Sequence, residues 1–294
     1  MDMDWLFFAE ITLAGLGAGG LYALTGLAFV IIYKSTGVVN LAIGEMLMLG
    51  AYLCFGFATG MGLPIWIAIA LAVAGSGLAG GVIERIAIRP MLGESPISVF
   101  MVTVGLASVL IGVVELIWTA DPRRMPNIVP DKAIFIGEAF VSSKVFYGFF
   151  VTIILISIVL LVFRYWRGGV ALRATASDQP AAYSMGINVP RVFSLSWVVA
   201  AMIAAVAGVI VGSIGGISPA MGVFGLSVLV VVIVGGLDSV LGALVAGMAI
   251  GLIEAWASGF LGGEYKIVAT FIVLIVVLMI RPYGLFGTRE IERL

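Results

Sequence analysis

The chain has 294 residues, of which 62% are hydrophobic and 11% charged, and its formal net charge is −1. Soluble domains carry about 25% charged residues, so the composition excludes a water-soluble fold, and the charge excludes a basic nucleic-acid-binding protein. The absence of His and the single Cys exclude Cys/His zinc sites, disulfide frameworks and His-dependent catalysis. The composition predicts an all-α integral membrane protein that is not an enzyme.

Apolar segments long enough to cross a bilayer recur along the whole chain. A crossing takes about 20 apolar helical residues, and seven segments qualify: 11–33, 38–59, 65–83, 97–118, 145–163, 192–217 and 239–260. Two shorter runs follow the same pattern, and of these 222–237 is either a full crossing or a re-entrant segment, whereas 267–280 has Lys266 and Arg281 at its ends. We predict a polytopic bundle of about nine transmembrane helices (eight to ten), forming one domain over residues 1–294.

The basic residues predict that the N-terminus lies outside and the C-terminus in the cytoplasm. Acidic residues rather than basic ones precede the first span, which favours a retained helix over a cleaved signal. With this orientation, ten of the 15 basic residues are cytoplasmic, as the positive-inside rule requires: Lys34, Arg85, Arg89, Arg164, Arg167, Arg173, Arg191, Arg281, Arg289 and Arg293. The same orientation makes residues 120–144 an extracytoplasmic loop, which contains Pro122, Pro126, Pro130 and a short predicted strand at 134–137.

Glycines inside the spans indicate where helices pack closely and where they end. Most of the 39 glycines predict close helix packing, whereas Gly215–Gly216 and Gly235–Gly236 predict breaks between helices. Asp238 and Ser239 are predicted to cap the helix that begins after them.

Carboxylates at membrane depth are costly and are functional candidates by default. Glu45, which follows Asn40 at the start of the second span, and Glu254, deep in a later span, are the two candidates. We predict that Asn40, Glu45 and Glu254 line a substrate path; the alternative for the two acids is an interhelical hydrogen bond that holds the bundle together. The sequence shows no basic residue inside the spans that would pair with either acid.

The cytoplasmic segment 164–191 is predicted to contain two short helices. Arg167–Gly169 should end the preceding span, and Val170–Ala176 should form the first helix. The second begins at an N-cap formed by Ser177 and Asp178, and Gly186 should end it. A solvated connector and an element that docks on a cytoplasmic partner are both compatible with this pattern.

Motifs along nearly the whole chain resemble one family. The stretch from Arg173 to Arg191 closely resembles the cytoplasmic coupling loop of branched-chain amino acid ABC importer permeases, the LivH-like subunits. Further matching motifs occur in the same order as in that family: Gly20–Leu24, Gly37–Ala42 with Gly44 and Glu45, Glu84–Arg85 with Arg89–Pro90, Gly235–Gly236 with Gly242–Ala243, and Arg281–Gly287.

The resemblance implies a path-forming subunit of an ATP-driven importer in a bacterial inner membrane. Its implied partners are a second, LivM-like permease subunit, two cytoplasmic ATP-binding subunits and a periplasmic protein that delivers the substrate. The coupling residues it implies are Arg173, Ala174, Asp178, Ala182 and Gly186. No cofactor is expected in this chain, because none of the four Lys residues follows a Gly, as a phosphate-binding P-loop requires.

The sequence leaves the substrate open. Similar permeases handle leucine, isoleucine and valine, and others handle urea, short amides or aromatic acids. The chain has Ile43 where relatives commonly place a polar residue before the Gly-Glu pair. This difference weakens the assignment of any one relative's substrate to this chain. A stand-alone secondary transporter and a passive channel for small neutral solutes are the alternatives from other classes.

Overall fold

The computed structural model describes residues 2–129 and 132–288, so that Pro130, Arg289 and Arg293, which entered the predictions above, lie outside the described residues. The described chain is helical apart from one short hairpin. Its elements are α1 (Asp2–Thr36), α2 (Ile43–Phe55), α3 (Ile65–Ile83), α4 (Pro96–Trp118), β1 (Ala133–Ile136), β2 (Ala139–Ser142), α5 (Ser143–Tyr165), α6 (Arg167–Ser177), α7 (Gln179–Ser184), α8 (Val189–Gly215), α9 (Phe224–Gly235), α10 (Val240–Phe260) and α11 (Tyr265–Ile280).

Seven of the described helices are long and apolar enough to cross a membrane, which makes this a multi-pass membrane protein. They are α1 from Trp5, α2 with the wide turn Gly56–Gly60, α3 extended to Met91, α4, α5, α8 and α10. Each contains most of one of the seven segments chosen from the sequence. The two shorter apolar helices, Pro219–Gly235 and Tyr265–Ile280, fall at the two short runs.

One compact unit contains residues 1–30, 129–153 and 227–294. Here α1 and α10 lie backbone against backbone, because small residues face one another along the contact. A methyl group on Gly19 would come within 2.9 Å of Met248 Cα, and one on Gly247 within 2.6 Å of Ala23 N. Such small-residue contacts are typical of membrane helices, whose association depends on close packing.

A second compact unit contains residues 31–128 and 154–226. Its centre is formed by α2, α3 and α8, which meet at small residues. Gly208 of α8 lies against the Leu47 carbonyl oxygen of α2, and a methyl group on Gly80 of α3 would lie 2.7 Å from the Trp197 carbonyl oxygen of α8. Trp197 is wholly buried.

The predicted helix breaks and the predicted strand are confirmed. Gly216 follows α8 with φ +82° and Gly236 follows α9 with φ +107°, a left-handed conformation that glycine adopts without steric cost. After the first break, a 3₁₀ turn at Pro219–Val223 leads directly into α9. β1 pairs with β2 antiparallel, with Phe135 opposite Phe140.

Two local predictions are wrong. Gly168 and Gly169 do not end the preceding span; they lie in the first turn of α6, and a methyl group on Gly169 would lie 2.6 Å from Phe163 Cα. Glycine is needed there because the chain turns tightly after α5. Asp238 does not cap α10 either: Ser239 Oγ accepts from Gly242 N at 3.0 Å, while Asp238 accepts from the Thr288 backbone N–H.

Candidate functional site

The connection between α1 and α2 begins the first candidate site. Asn40 is wholly buried, and its side chain contacts residues of the same connection and of the start of α2. Asn40 Oδ1 accepts from Ala42 N at 3.0 Å, and Nδ2 lies 3.3 Å from Met46 Sδ. The Asn40 side chain therefore fixes the turn that starts α2, just before Glu45.

Glu45 is buried in the first turn of α2 and lies against a glycine. A methyl group on Gly222 would come within 2.6 Å of Glu45 Oε1, so glycine alone leaves room for the carboxylate. Glu45 Oε2 has no hydrogen-bond partner among the described residues. Burying a carboxylate oxygen without a hydrogen-bond partner costs folding free energy. A ligand that donates to Glu45 Oε2 would recover part of that cost, which makes Glu45 the candidate ligand-binding acid of this unit.

Glu254 lies in the other compact unit and is fully partnered. Tyr22 Oη donates to Glu254 Oε2 at 2.6 Å, Thr270 Oγ1 donates to Oε1 at 2.6 Å, and Lys266 Nζ lies 3.3 Å from Oε2. This basic partner comes from the end of the span predicted at 267–280 and not from inside a span, and the sequence analysis did not identify the pair. Lys266 lies in the first turn of α11, where the chain folds back and brings it beside α10.

The candidate path residues thus divide into two environments. Asn40 and Glu45 lie together at the start of α2, whereas Glu254 belongs to a network that joins α1, α10 and α11. Of the three, only Glu45 has a buried side-chain oxygen without a partner in the described part of the chain.

The predicted coupling residues mostly hold the α6–α7 segment in shape. Arg173 donates to the carbonyl oxygens of Phe163 and Arg164 at the end of α5. Asp178 Oδ1 accepts from Ala181 N at 2.9 Å and caps α7 as predicted. The Ala174 carbonyl oxygen accepts from Asp178 N at 3.1 Å.

The end of α7 exposes two apolar side chains that the sequence analysis missed. Ala182 is buried, and its carbonyl oxygen accepts from Ile187 N at 3.1 Å, while Gly186 has φ +83°. This turn leaves Tyr183 71% exposed and Met185 82% exposed. Their positions just before the predicted glycine stop were the signal that could have found them.

A charged cluster joins the ends of α3 and α8. Arg89 Nε and Nη2 donate to the two oxygens of Glu84 at 3.0 and 2.9 Å. Ser194 Oγ donates to Glu84 Oε2 at 2.8 Å, and Arg89 Nη2 also donates to the Pro190 carbonyl oxygen at 3.2 Å. Because Pro190 and Ser194 lie in the first turns of α8, the cluster ties this helix to α3.

Comparison with known proteins identifies the family. A family model described as "Branched-chain amino acid transport system / permease component" matches residues 11–278. The chain is 30% identical to the high-affinity branched-chain amino acid transport system permease protein LivH of Escherichia coli K12, over 100% of both chains. It is 32% identical to the corresponding protein BraD of Pseudomonas aeruginosa, with 95% of each chain covered.

A solved structure, "PsaBC from Streptococcus pneumoniae in complex with Fab", is similar with a TM-score of 0.49 and 15% identity, covering 94% of this chain and 92% of that one. The apolar helices and the full-length match define a multi-pass membrane transport permease, a class distinct from enzymes. More narrowly, the chain belongs to the family of branched-chain amino acid transport system permease components.

Proposed function

We propose that the chain forms the translocation path of an ATP-driven importer for branched-chain or related amino acids in a bacterial inner membrane. The observation that carries this proposal is the family match across residues 11–278. ATP is hydrolysed by partner subunits, since the sequence has no Gly-Lys pair for a P-loop. Residues 1–294 act as a single permease domain.

In the proposed topology the chain crosses the membrane nine times, with the N-terminus outside and the C-terminus in the cytoplasm. The segment Pro219–Gly235 begins with a 3₁₀ turn, whose rise of about 2.0 Å per residue brings the segment to about 28 Å, close to the hydrocarbon thickness. α11 reaches about 24 Å and has Lys266 and Arg281 at its ends to reach the two interfaces.

The proposed partners follow from this topology. The extracytoplasmic loop 120–144 receives the periplasmic substrate-binding protein. The cytoplasmic segment 164–191 meets one of two ATP-binding subunits, and a second permease subunit completes the path.

Within this chain, Glu45 faces the substrate, because its unpartnered oxygen can accept from an ammonium group. Asn40 shapes the path by fixing the turn before α2. Glu254 shapes it through the network that holds α11 against α10.

Coupling to ATP is proposed to act through α7. Tyr183 and Met185 contact the ATP-binding subunit, whereas Arg173, Ala174, Asp178, Ala182 and Gly186 hold the segment in the required shape. Only residues 185–188 separate α7 from α8, and Asn188 caps α8 by accepting from Arg191 N at 3.2 Å, so we expect a displacement of α7 to move the start of α8.

The path assignment is tested by Glu45→Gln in the complete importer, reconstituted in vesicles with its binding protein and supplied with ATP. Uptake of leucine should fall about tenfold or more while the complex still assembles, because the amide cannot neutralise an ammonium group. Glu94→Gln, the same change at an exposed site between α3 and α4, is the matched control. Equal uptake by the two variants would contradict the assignment of Glu45.

The coupling assignment is tested by replacing Tyr183 and Met185 together with Ala. Transport and transport-linked ATPase should both fall, because the exposed apolar contact with the ATP-binding subunit is lost. Tyr147→Ala, an exposed tyrosine on α5, serves as the control. Wild-type rates in the double variant would remove α7 from the coupling path.

The substrate class is tested by the ligand of the partner binding protein. Binding of leucine, isoleucine or valine supports the proposal. Binding of urea, short amides or aromatic acids would instead make those compounds the substrates of the importer. ATP-independent uptake by the purified chain alone would refute the importer and favour a secondary transporter or channel.

A further inference from the structure

A second set of unpartnered polar atoms lies around the end of α2 away from Glu45. Tyr52 is 0% exposed, and neither its Oη nor Arg123 Nε has a hydrogen-bond partner among the described residues. The charges of Arg123 and of the exposed Glu115 are both close enough to interact electrostatically with the Tyr52 hydroxyl. Buried polar groups are normally paired, so two orphan donors of this kind in one place indicate a missing anionic partner.

Arg123 is held in position by contacts that leave Nε unused. Its backbone forms an antiparallel bridge with Ile217, with both N–H···O distances at 2.8 Å. Its guanidinium carbon lies 5.6 Å from the centre of the Phe55 ring, and Nη2 donates to Thr119 Oγ1 at 3.2 Å. The guanidinium is thus fixed by a backbone bridge, a ring and a hydroxyl, which is the arrangement expected of a preformed ligand group.

Aromatic rings complete the surroundings. The Tyr52 ring lies 5.6 Å from the Trp118 ring, centre to centre. A methyl group on Gly56 would lie 3.0 Å from Trp118 Cζ2, so glycine lets the indole approach α2. The guanidinium and the hydroxyl therefore lie beside apolar surface that suits an aliphatic side chain.

Glu45 and Tyr52 are seven residues apart and therefore lie on one face of α2, separated by about 10.5 Å along the helix. The two ends of this face suit partners of opposite charge. The unpartnered carboxylate oxygen of Glu45 suits a cation, and the unpartnered atoms of Tyr52 and Arg123 suit an anion.

We infer that Arg123 and Tyr52 form a binding site for the α-carboxylate of an amino acid, at the extracytoplasmic end of the path. The inference rests on the proposed function and narrows its substrate class to solutes with a free carboxylate, which excludes urea and simple amides. The site and Glu45 are occupied in succession, because about 10.5 Å of helix exceeds the separation of the two charges on one amino acid. In the present conformation Tyr52 is sealed from solvent, so the carboxylate binds in a second conformation that admits it to the site while the Arg123–Ile217 bridge is kept.

The test compares Arg123→Gln, Arg123→Lys and Tyr52→Phe in the complete importer, with leucine-loaded binding protein added at increasing concentration. Arg85→Gln is the matched control, since Arg85 is an exposed arginine outside the loop assigned to the binding protein. Arg123→Gln should lower the maximal uptake rate about tenfold or more, the loss expected from one charge-assisted hydrogen bond. Arg123→Lys should retain part of the rate, because it keeps the charge.

Tyr52→Phe separates ligand binding from a structural role. It should lower the maximal rate several-fold while leaving the melting temperature unchanged or higher, because it removes a buried unpaired hydroxyl. A structural hydroxyl would show the reverse pattern, and that result overturns the inference.

Two further outcomes also overturn the inference. In the first, Arg123→Gln and Arg85→Gln behave alike. In the second, Arg123→Gln raises the half-saturating concentration of binding protein at an unchanged maximal rate, which assigns Arg123 to docking of that protein. The wild-type importer is measured in parallel. If it moves no amino acid with ATP, the proposed function fails; if it does and the variants match it, only the carboxylate site fails.

Discussion

The charged cluster between α3 and α8 allows a stability prediction with a defined asymmetry. Glu84 is 0% exposed, whereas the Arg89 side chain is 35% exposed. Arg89→Gln leaves a buried carboxylate with Ser194 as its remaining side-chain donor, and breaking a buried pair costs about 3–5 kcal/mol. Because Arg89 is partly solvated, we expect a smaller loss of about 2–3 kcal/mol, which corresponds to about 5–10 °C in melting temperature.

The single cysteine provides the assay. Cys54 is free and buried in α2, in the same compact unit as the cluster, so a thiol-reactive dye reports when that unit opens on heating. Arg85→Gln removes the same charge from an exposed residue in the same turn and should change stability by less than about 0.5 kcal/mol.

The double variant Glu84→Gln/Arg89→Gln should be no less stable than Arg89→Gln, because it removes the charge left unpaired. Equal melting of Arg89→Gln and Arg85→Gln would refute the reasoning. The reasoning would also be refuted if the double variant lost as much stability as the single variants Glu84→Gln and Arg89→Gln lose together.

Two further predictions concern packing. Gly208→Ala should destabilise the protein by about 1–3 kcal/mol, because the new methyl overlaps the Leu47 carbonyl oxygen, whereas Gly105→Ala, with no atom within 4 Å, should be neutral or stabilising in the thiol assay. Thr270→Val should cost about 1–3 kcal/mol, because it removes a donor from buried Glu254; an unchanged melting temperature by tryptophan fluorescence would show that Tyr22 and Lys266 suffice.

Local sequence signals predicted the helical elements well. Hydropathy located the seven long helices because a crossing needs a long apolar run. The Asp178 cap and the breaks at Gly216 and Gly236 were predictable because they depend on the chemistry of the residues at those positions.

Pairings that depend on tertiary structure were not predictable in this way. The partnership of Lys266 with Glu254 depends on how α11 folds back on α10. The choice of Ser239 over Asp238 as the cap depends on where the chain near Thr288 lies. The orphan atoms at Tyr52 and Arg123 depend on a loop that reaches α2 through its bridge to Ile217.

The segment from Glu84 to Arg89 has a consequence for changes in chain length. It forms a wide turn in which Arg89 N–H donates to the Glu84 carbonyl oxygen, five positions apart rather than four. In an ordinary helix these side chains would point about 140° apart. Removing one residue between them restores the usual spacing of four and keeps the partners on one face, whereas adding one separates them. The segment should therefore accept a deletion more readily than an insertion.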